Sequence, residues 1–224
     1  MVTTDDSRLA KTLQVTEIYA SIQGESTWAG LPCIFVRLTG CHLRCTYCDT
    51  AYAFDGGTEM SLGAIVEHCA QWPSGLVEIT GGEPLLQAPS ADLVAVFLER
   101  GYTVLVETSG TLPVAHLPVA AVKVMDIKCP SSGVSDANDW GNIAALSERD
   151  EVKFVIGDRE DYEWSCAVVR EHDLPSRCRA VLFAPVFDVM APHTLCEWIL
   201  EDGIEARFQL PLHKYVWPPG QRGV

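Results

Sequence analysis

Basic residues are scarce in this chain: 16 lysines and arginines stand against 30 aspartates and glutamates, a formal net charge of −14 over 224 residues. Affinity for a phosphate backbone comes from cationic side chains displacing counterions, so the charge excludes a nucleic-acid partner and favours a small-molecule substrate. Long hydrophobic runs are missing as well. No apolar stretch approaches the roughly 18 residues that read as a membrane span, and no charged-then-apolar leader opens the sequence. Cysteine is plentiful, but its nine residues are odd in number and follow no regular framework. That pattern argues against a disulfide scaffold and for a reducing, cytoplasmic setting. No internal repeat is visible. The 48% hydrophobic content is enough, at this length, for the sizeable core of a single domain.

Residues 1–12 read as a flexible N-terminus, because Met1 to Lys11 is polar and acidic without periodicity, and residues 13–224 as one domain ending in a Pro/Gly-rich tail, Trp217–Val224. Extended patterns predict strands at Val15–Ala20, Ile34–Leu38, Val77–Thr80, Thr103–Glu107, Val122–Ile127, Val152–Ile156, Ala180–Ala184 and Ala206–Leu210. Helical spacing predicts helices at Leu62–Gln71, Ser90–Arg100, Asp161–His172 and Thr194–Glu201, with Gly101 and Gly203 as stops. Short apolar strands separated by helices indicate βαβ units on a parallel sheet. The repeats are too few for a full eight-fold barrel, so the predicted fold is α/β, an abbreviated partial (β/α) barrel.

Four polar segments fall at the carboxyl ends of predicted strands, where parallel α/β folds bind ligands: Cys41–Thr50, Gly81–Pro84, Thr108–Thr111 and Lys128–Gly133. The first is the most informative. Cys41, Cys45 and Cys48 are spaced to hold one face of a metal centre, and a cubane iron–sulfur cluster bound by three cysteines keeps one iron open for a ligand that is not protein. The competing reading is a structural zinc site, which needs a fourth ligand; Cys33 and Cys69 lack a paired spacing for it.

CHLRCTYC followed by ITGGEP resembles the radical S-adenosylmethionine (SAM) superfamily. The resemblance implies a 4Fe–4S cluster on the three cysteines, SAM on the open iron, and Gly81–Gly82 approaching the SAM amino group; a plain strand-to-helix turn would explain the glycines but not Glu83–Pro84. A closer resemblance runs through YASIQGE, WAGLPCIFVRLTGC, CDT, ETSGT, DIKCPSSG, KFVIGDREDY and LHKYVWPPGQRGV, covering nearly the whole chain. These segments are similar to the 7-carboxy-7-deazaguanine synthase family. That family turns 6-carboxy-5,6,7,8-tetrahydropterin into 7-carboxy-7-deazaguanine with loss of ammonia, on the route to queuosine and other 7-deazapurines. It uses SAM, the cluster and Mg²⁺, has an abbreviated barrel, and is typically a homodimer served by a low-potential reductant such as a flavodoxin-like protein.

Position by position, the resemblance implies that Cys41, Cys45 and Cys48 hold the cluster and Thr50 ligates Mg²⁺, although a Thr after a loop Asp is also an ordinary turn residue. Tyr47, Cys48, Asp49, Gly82, Gly110, Cys129, Pro130, Ser131, Ala184, Pro185, Val186 and Phe187 match SAM contacts. Ile22, Gln23, Gly24, Glu25, Arg37, Thr108, His213 and the terminal Val224 match the substrate pocket, where Gln and Glu suit the pyrimidine edge of a pterin and Arg suits its carboxylate. A structural role for Arg37 requires a buried partner, a lone His213 can equally be a satisfied surface histidine, and a tail can simply fray. The hydrogen-abstracting radical comes from SAM, so no protein nucleophile is expected. A glycyl-radical activating enzyme shares the cysteine spacing, and a non-enzymatic zinc module is the alternative of another class.

Overall fold

Five short apolar runs, β-branched-rich in all but the last, form the middle of a single sheet and are buried on both faces: β4 (Leu76–Gly81), β5 (Thr103–Thr108), β6 (Val122–Ile127), β7 (Glu151–Ile156) and β8 (Ala180–Pro185). Around them lie β1 (Thr12–Ile22), β2 (Pro32–Leu38), β3 (Thr58–Ser61) and β9 (Arg207–Phe208). The computed structural model describes residues 6–218 and 220–224. The strand order is β3-β1-β2-β4-β5-β6-β7-β8-β9, with β1 antiparallel to both β2 and β3 and every later pair parallel. The antiparallel start departs from the predicted βαβ succession. The connector from Gln23 to Leu31 carries no helix, and a parallel return needs a crossover of a dozen or more residues.

The helices are α1 (Leu62–Cys69), α2 (Ser90–Glu99), α3 (Arg159–Glu171), α4 (Leu174–Arg177), α5 (Pro192–Asp202) and α6 (His213–Val216). Ser61 caps α1 by accepting from the Ala64 N–H at 3.1 Å, and Asp158 caps α3 by accepting from Asp161 at 2.9 Å. Leu62, Ile65, Val66 and Cys69 of α1 join Leu93, Val94 and Phe97 of α2 in one core on the outer face of β1, β2, β4 and β5. Tyr162, Cys166 and Val169 of α3, with Leu174 and Leu195, form a second core on β6, β7 and β8. The crossover from β5 to β6 carries no helix, and the one from β6 to β7 carries only 3-10 turns, at Pro130–Ser132, Ser135–Ala137 and Trp140–Ala145.

Residues 1–5 of the expected flexible N-terminus lie outside the described residues. The remainder is ordered: Asp6 caps a 3-10 turn over Ser7–Ala10, Arg8 pairs with Asp6 at 2.7 Å and with Glu99 of α2 at 2.6 Å, and Leu9 packs on the first core. Among the described residues no helix is long and apolar enough to cross a membrane.

Candidate active site

Side chains on the inner face of the curved sheet change character along the strands. At the amino-terminal end Phe35, Leu76, Leu105 and Val122 meet Cys33, Tyr19 and Trp28 in a third apolar cluster that plugs the barrel. One or two inward positions further, the same strands carry Arg37 on β2, Glu78 and Thr80 on β4, Glu107 on β5 and Asp126 on β6, and the neighbouring β7 carries Lys153 beside Asp126. Charge is therefore concentrated at the carboxyl ends, above an apolar floor.

The loop after β2 carries the three cysteines, all free and half-buried. It is clamped from both sides. On one side the Gly82 N–H donates to Leu38 at 3.2 Å and the Glu83 N–H to Gly40 at 2.8 Å. A Cβ on Gly82 would stand 2.3 Å from the Gly40 oxygen and 2.7 Å from the Cys41 Cβ. The missing side chain thus allows close packing against the cysteine loop, and Gly82 also lines the cavity beside the cysteines. Glu83, fully buried, accepts from the Leu85 N–H at 2.9 Å, the Thr108 hydroxyl at 2.9 and 3.0 Å, and the Ser109 N–H and hydroxyl at 2.8 and 2.6 Å. It ties the end of β4 to the end of β5, which accounts for the Glu83–Pro84 pair that a plain turn left unexplained. On the other side, the Thr46 N–H and hydroxyl donate to the Ser132 and Ser131 carbonyls at 3.0 and 2.7 Å.

Two adjoining cavities open above this floor. One, of about 630 Å³, is lined by Cys41, Cys45, Tyr47 and Cys48, by Gly82, Thr108, Asp126 and Lys153, and by Ala184–Phe187. The other, of about 700 Å³, is lined by Ile22, Gln23, Gly24, Tyr52 and Glu78 and by the tail residues Pro218 and 220–224. Glu25, Arg37, Asp49, Thr50, Glu107, His213 and Lys214 border both. Burial pushes the Cys41 and Cys45 thiols up, so binding a metal group there must release their protons. Asp126 lines the cysteine-side cavity, and its Oδ1 is buried without a hydrogen-bond partner among the described residues.

The second cavity is strongly polar. Arg37 donates through Nε to Glu17 at 2.9 Å and through Nη2 to Tyr19 at 3.0 Å. Burial works against its charge, but Tyr19, Tyr52 and Glu17 outweigh it and raise its pKa further. The buried partner that a structural role requires is therefore present, while Nη1 has no hydrogen-bond partner among the described residues and remains for a ligand. Gln23 Nε2 donates to Glu78, and Gln23 Oε1 accepts from the Glu25 N–H at 2.9 Å, which fixes the amide's orientation. Burial, then the nearby Glu107 carboxylate, raise Glu78 well above the ordinary glutamate value. Asp49 keeps an accessible side chain at the shared rim; its desolvation there is overridden by the Lys214 ammonium, which holds it down at about 2.

Most of the expected site residues come together at these cavities, and several do not. Cys129 is fully buried in the second core with its thiol 3.4 Å from the Ser165 hydroxyl, so its side chain faces away from the cavity. Pro130 and Ser131 do not line it either: the Ser131 N–H and hydroxyl are held by Asp161, and the segment's place is to clamp Thr46. Gly110 packs on Met125 and likewise lies off both walls. Thr108, expected in the substrate pocket, borders the cysteine-side cavity with its hydroxyl committed to Glu83. The Thr50 hydroxyl donates to Asp49 at 2.9 Å, as an ordinary turn residue would, yet Thr50 borders both cavities. His213 opens α6 and packs directly over Gly24, so it is no stray surface histidine. Sequence reasoning missed Glu78, Glu107, Asp126 and Lys153; the available signal was a lone charge inside an otherwise apolar strand, which burial penalises unless it is paired or functional.

Residues 35–127, from β2 to the end of β6, match the Radical SAM superfamily. A 7-carboxy-7-deazaguanine synthase of Koribacter versatilis is 46% identical over 229 residues, spanning 95% of this chain and 100% of that relative. The chain belongs to the 7-carboxy-7-deazaguanine synthase family. A family member from Chlorobaculum tepidum is 44% identical, over 95% of this chain and 97% of its own length. The crystal structure of QueE from Escherichia coli superposes with a TM-score of 0.75 at 20% identity, covering 93% of this chain and 99% of that one; it shares the fold. Membership makes this chain a radical SAM enzyme, with a 4Fe–4S cluster and SAM as its cofactors, and sets aside the activating-enzyme and zinc-module readings. The geometry is compatible. The cysteines of a cubane each hold a separate iron.

Proposed function

We propose that this enzyme converts 6-carboxy-5,6,7,8-tetrahydropterin into 7-carboxy-7-deazaguanine with release of ammonia, supplying queuosine or another 7-deazapurine. The observation that carries the reading is the pair of adjoining cavities, one walled by the three cysteines and the other by Gln23, Glu25 and Arg37. Cys41, Cys45 and Cys48 would hold the cluster, and Tyr47, Asp49, Gly82 and Ala184–Phe187 would flank SAM; the unpartnered Asp126 Oδ1 in this wall supports a polar ligand there. The chemistry these groups supply when bound is a one-electron cleavage of SAM that yields a hydrogen-abstracting radical. The protein's own contribution is orientation and exclusion of water.

In the second cavity the locked Gln23 amide and the Glu25 carboxylate suit the donors and acceptors of the pyrimidine edge, and Arg37 Nη1 suits the substrate carboxylate. Thr50, on the shared wall, is suited to a Mg²⁺ that also takes substrate oxygens. His213, Arg222 and Val224 form the cover, with the Arg222 guanidinium 4.0 Å from the centre of the Tyr52 ring. A homodimer, a low-potential reductant such as a flavodoxin-like protein, and a cytoplasmic setting suited to the nine free thiols complete the proposal. The test is anaerobic: reconstituted, reduced enzyme is incubated with SAM, Mg²⁺ and the pterin, and mass spectrometry looks for the deazapurine. Its absence from an enzyme that still cleaves SAM would reject this substrate.

A further inference from the structure

Lys153 stands in the middle of β7 with 4% of its surface exposed. An ammonium there is costly unless paired, and it is ringed by carboxylates from three different elements. Nζ lies 2.7 Å from Glu25 Oε2 on the β1–β2 connector, 2.5 Å from Glu107 Oε1 on β5 and 3.7 Å from Asp126 Oδ2 on β6. Asp126 also takes Lys128 at 3.0 Å. Two ammonium groups thus face three carboxylates, and the excess negative charge sits at the wall between the two cavities.

The geometry at Glu25 is one-sided. Its Oε2 is held by Lys153 and, at 3.4 Å, by Gln209 Nε2, while Oε1 has no hydrogen-bond partner among the described residues and Glu25 borders both cavities. The connector itself does not depend on Lys153. Ser26 N–H donates to Gln209 at 2.6 Å, Thr27 donates through N–H and hydroxyl to Glu151 at 2.9 and 2.5 Å, and the Leu212 N–H donates to Gly24 at 2.9 Å. What Lys153 adds is the aim of one carboxylate.

Resting on the pterin reading above, we infer that Lys153 is a positioning residue for substrate binding: it pins one oxygen of Glu25, with Glu107 as counter-charge, so that the other is presented to the donor edge of the substrate. Removing the ammonium takes away the pin on Glu25 Oε2, and the carboxylate loses its aim into the cavity whether or not Glu107 is charged. A purely structural Lys153 would act only through the buried charge imbalance, which a second substitution, Glu107→Gln, removes.

The experiment measures KM and kcat for 6-carboxytetrahydropterin in reconstituted wild type, Lys153→Arg, Glu107→Gln, Lys153→Met and Lys153→Met/Glu107→Gln, with iron content and thermal midpoint as folding controls. The double variant keeps the test valid where Lys153→Met alone fails to fold. Expected is a KM at least about tenfold above that of Glu107→Gln alone, the size of one lost charge-assisted hydrogen bond, with kcat changing less and with Lys153→Arg recovering most of the loss. A double variant whose KM returns to that of Glu107→Gln together with its stability, or a Lys153→Arg no better than Lys153→Met, overturns the inference. Wild type that cleaves SAM but makes no deazapurine overturns the pterin reading instead.

Discussion

Replacing Gly24 with alanine adds a single methyl group at the point where the first connector meets the last helix. That Cβ would lie 2.3 Å from His213 Nδ1 and 3.1 Å from its Cγ, against about 3.4 Å for ordinary contact, so the imidazole must retreat by about 1.1 Å. It cannot swing freely, because the Leu212 N–H is bonded to the Gly24 carbonyl and the His213 N–H lies 3.2 Å from the same Cβ. Overpacking of this kind costs about 1–3 kcal/mol, which for a chain of this length lowers the thermal midpoint by roughly 2–12 °C. Displacing a positioning group by about 1 Å costs on the order of 10²-fold in catalytic efficiency. The assay is kcat/KM for the pterin and the thermal midpoint of Gly24→Ala, each measured in wild-type and His213→Ala backgrounds. Removing the imidazole relieves the main clash, so the stability loss from Gly24→Ala should largely vanish in the second background. An equal loss in both backgrounds, or a kcat/KM within threefold of wild type, would refute the close-approach argument.

Iron and sulfide analysis after anaerobic reconstitution should show cluster loss in Cys45→Ala and a full cluster in Cys129→Ala, whose thiol faces Ser165 in the second core; a full cluster in Cys45→Ala would sink the ligand assignment. Thr50→Val removes an oxygen donor while keeping shape, so half-maximal activity should need about tenfold more Mg²⁺; an unchanged Mg²⁺ titration would leave the hydroxyl to Asp49 alone. Glu78 has its pKa raised in the fold, chiefly by burial, so the stability it contributes is complete below the ordinary glutamate value of 4.5 and declines as pH rises above it. Glu78→Gln should therefore gain thermal stability relative to wild type between pH 5 and pH 9, and a difference that stays constant across that range would show Glu78 to be ionised throughout.

Strands β4 to β8 were legible because each is a short, mostly apolar run covered on both faces, and the rim segments followed from them. Strand β3 was not: Thr58–Ser61 has no buried residue of its own and exists because Leu13 and Gln14 of β1 offer it a ladder. The antiparallel return of β2 was hidden for a related reason, since alternation along β1 is broken by an irregularity between Val15 and Glu17. At the site, the cysteine loop and Arg37 announced themselves by spacing and by charge in an apolar strand. The same charge argument, applied to Glu78, Glu107, Asp126 and Lys153, would have found the polar interior that periodicity treated as core. Contacts such as Gly24 with His213, or Thr46 with Ser131, join segments far apart in the chain, and neither partner carries a local signal of the other.

The most direct test of the account is an anaerobic crystal structure of the reconstituted enzyme with SAM and 6-carboxytetrahydropterin bound. The account predicts the pterin in the cavity of Gln23, Glu25 and Arg37, its pyrimidine edge on Glu25 Oε1 and its carboxylate on Arg37 Nη1, with SAM against the three cysteines and Asp126 Oδ1. A pterin seated elsewhere, or one bound with Gln23, Glu25 and Arg37 all free of it, would contradict the division of labour between the two cavities.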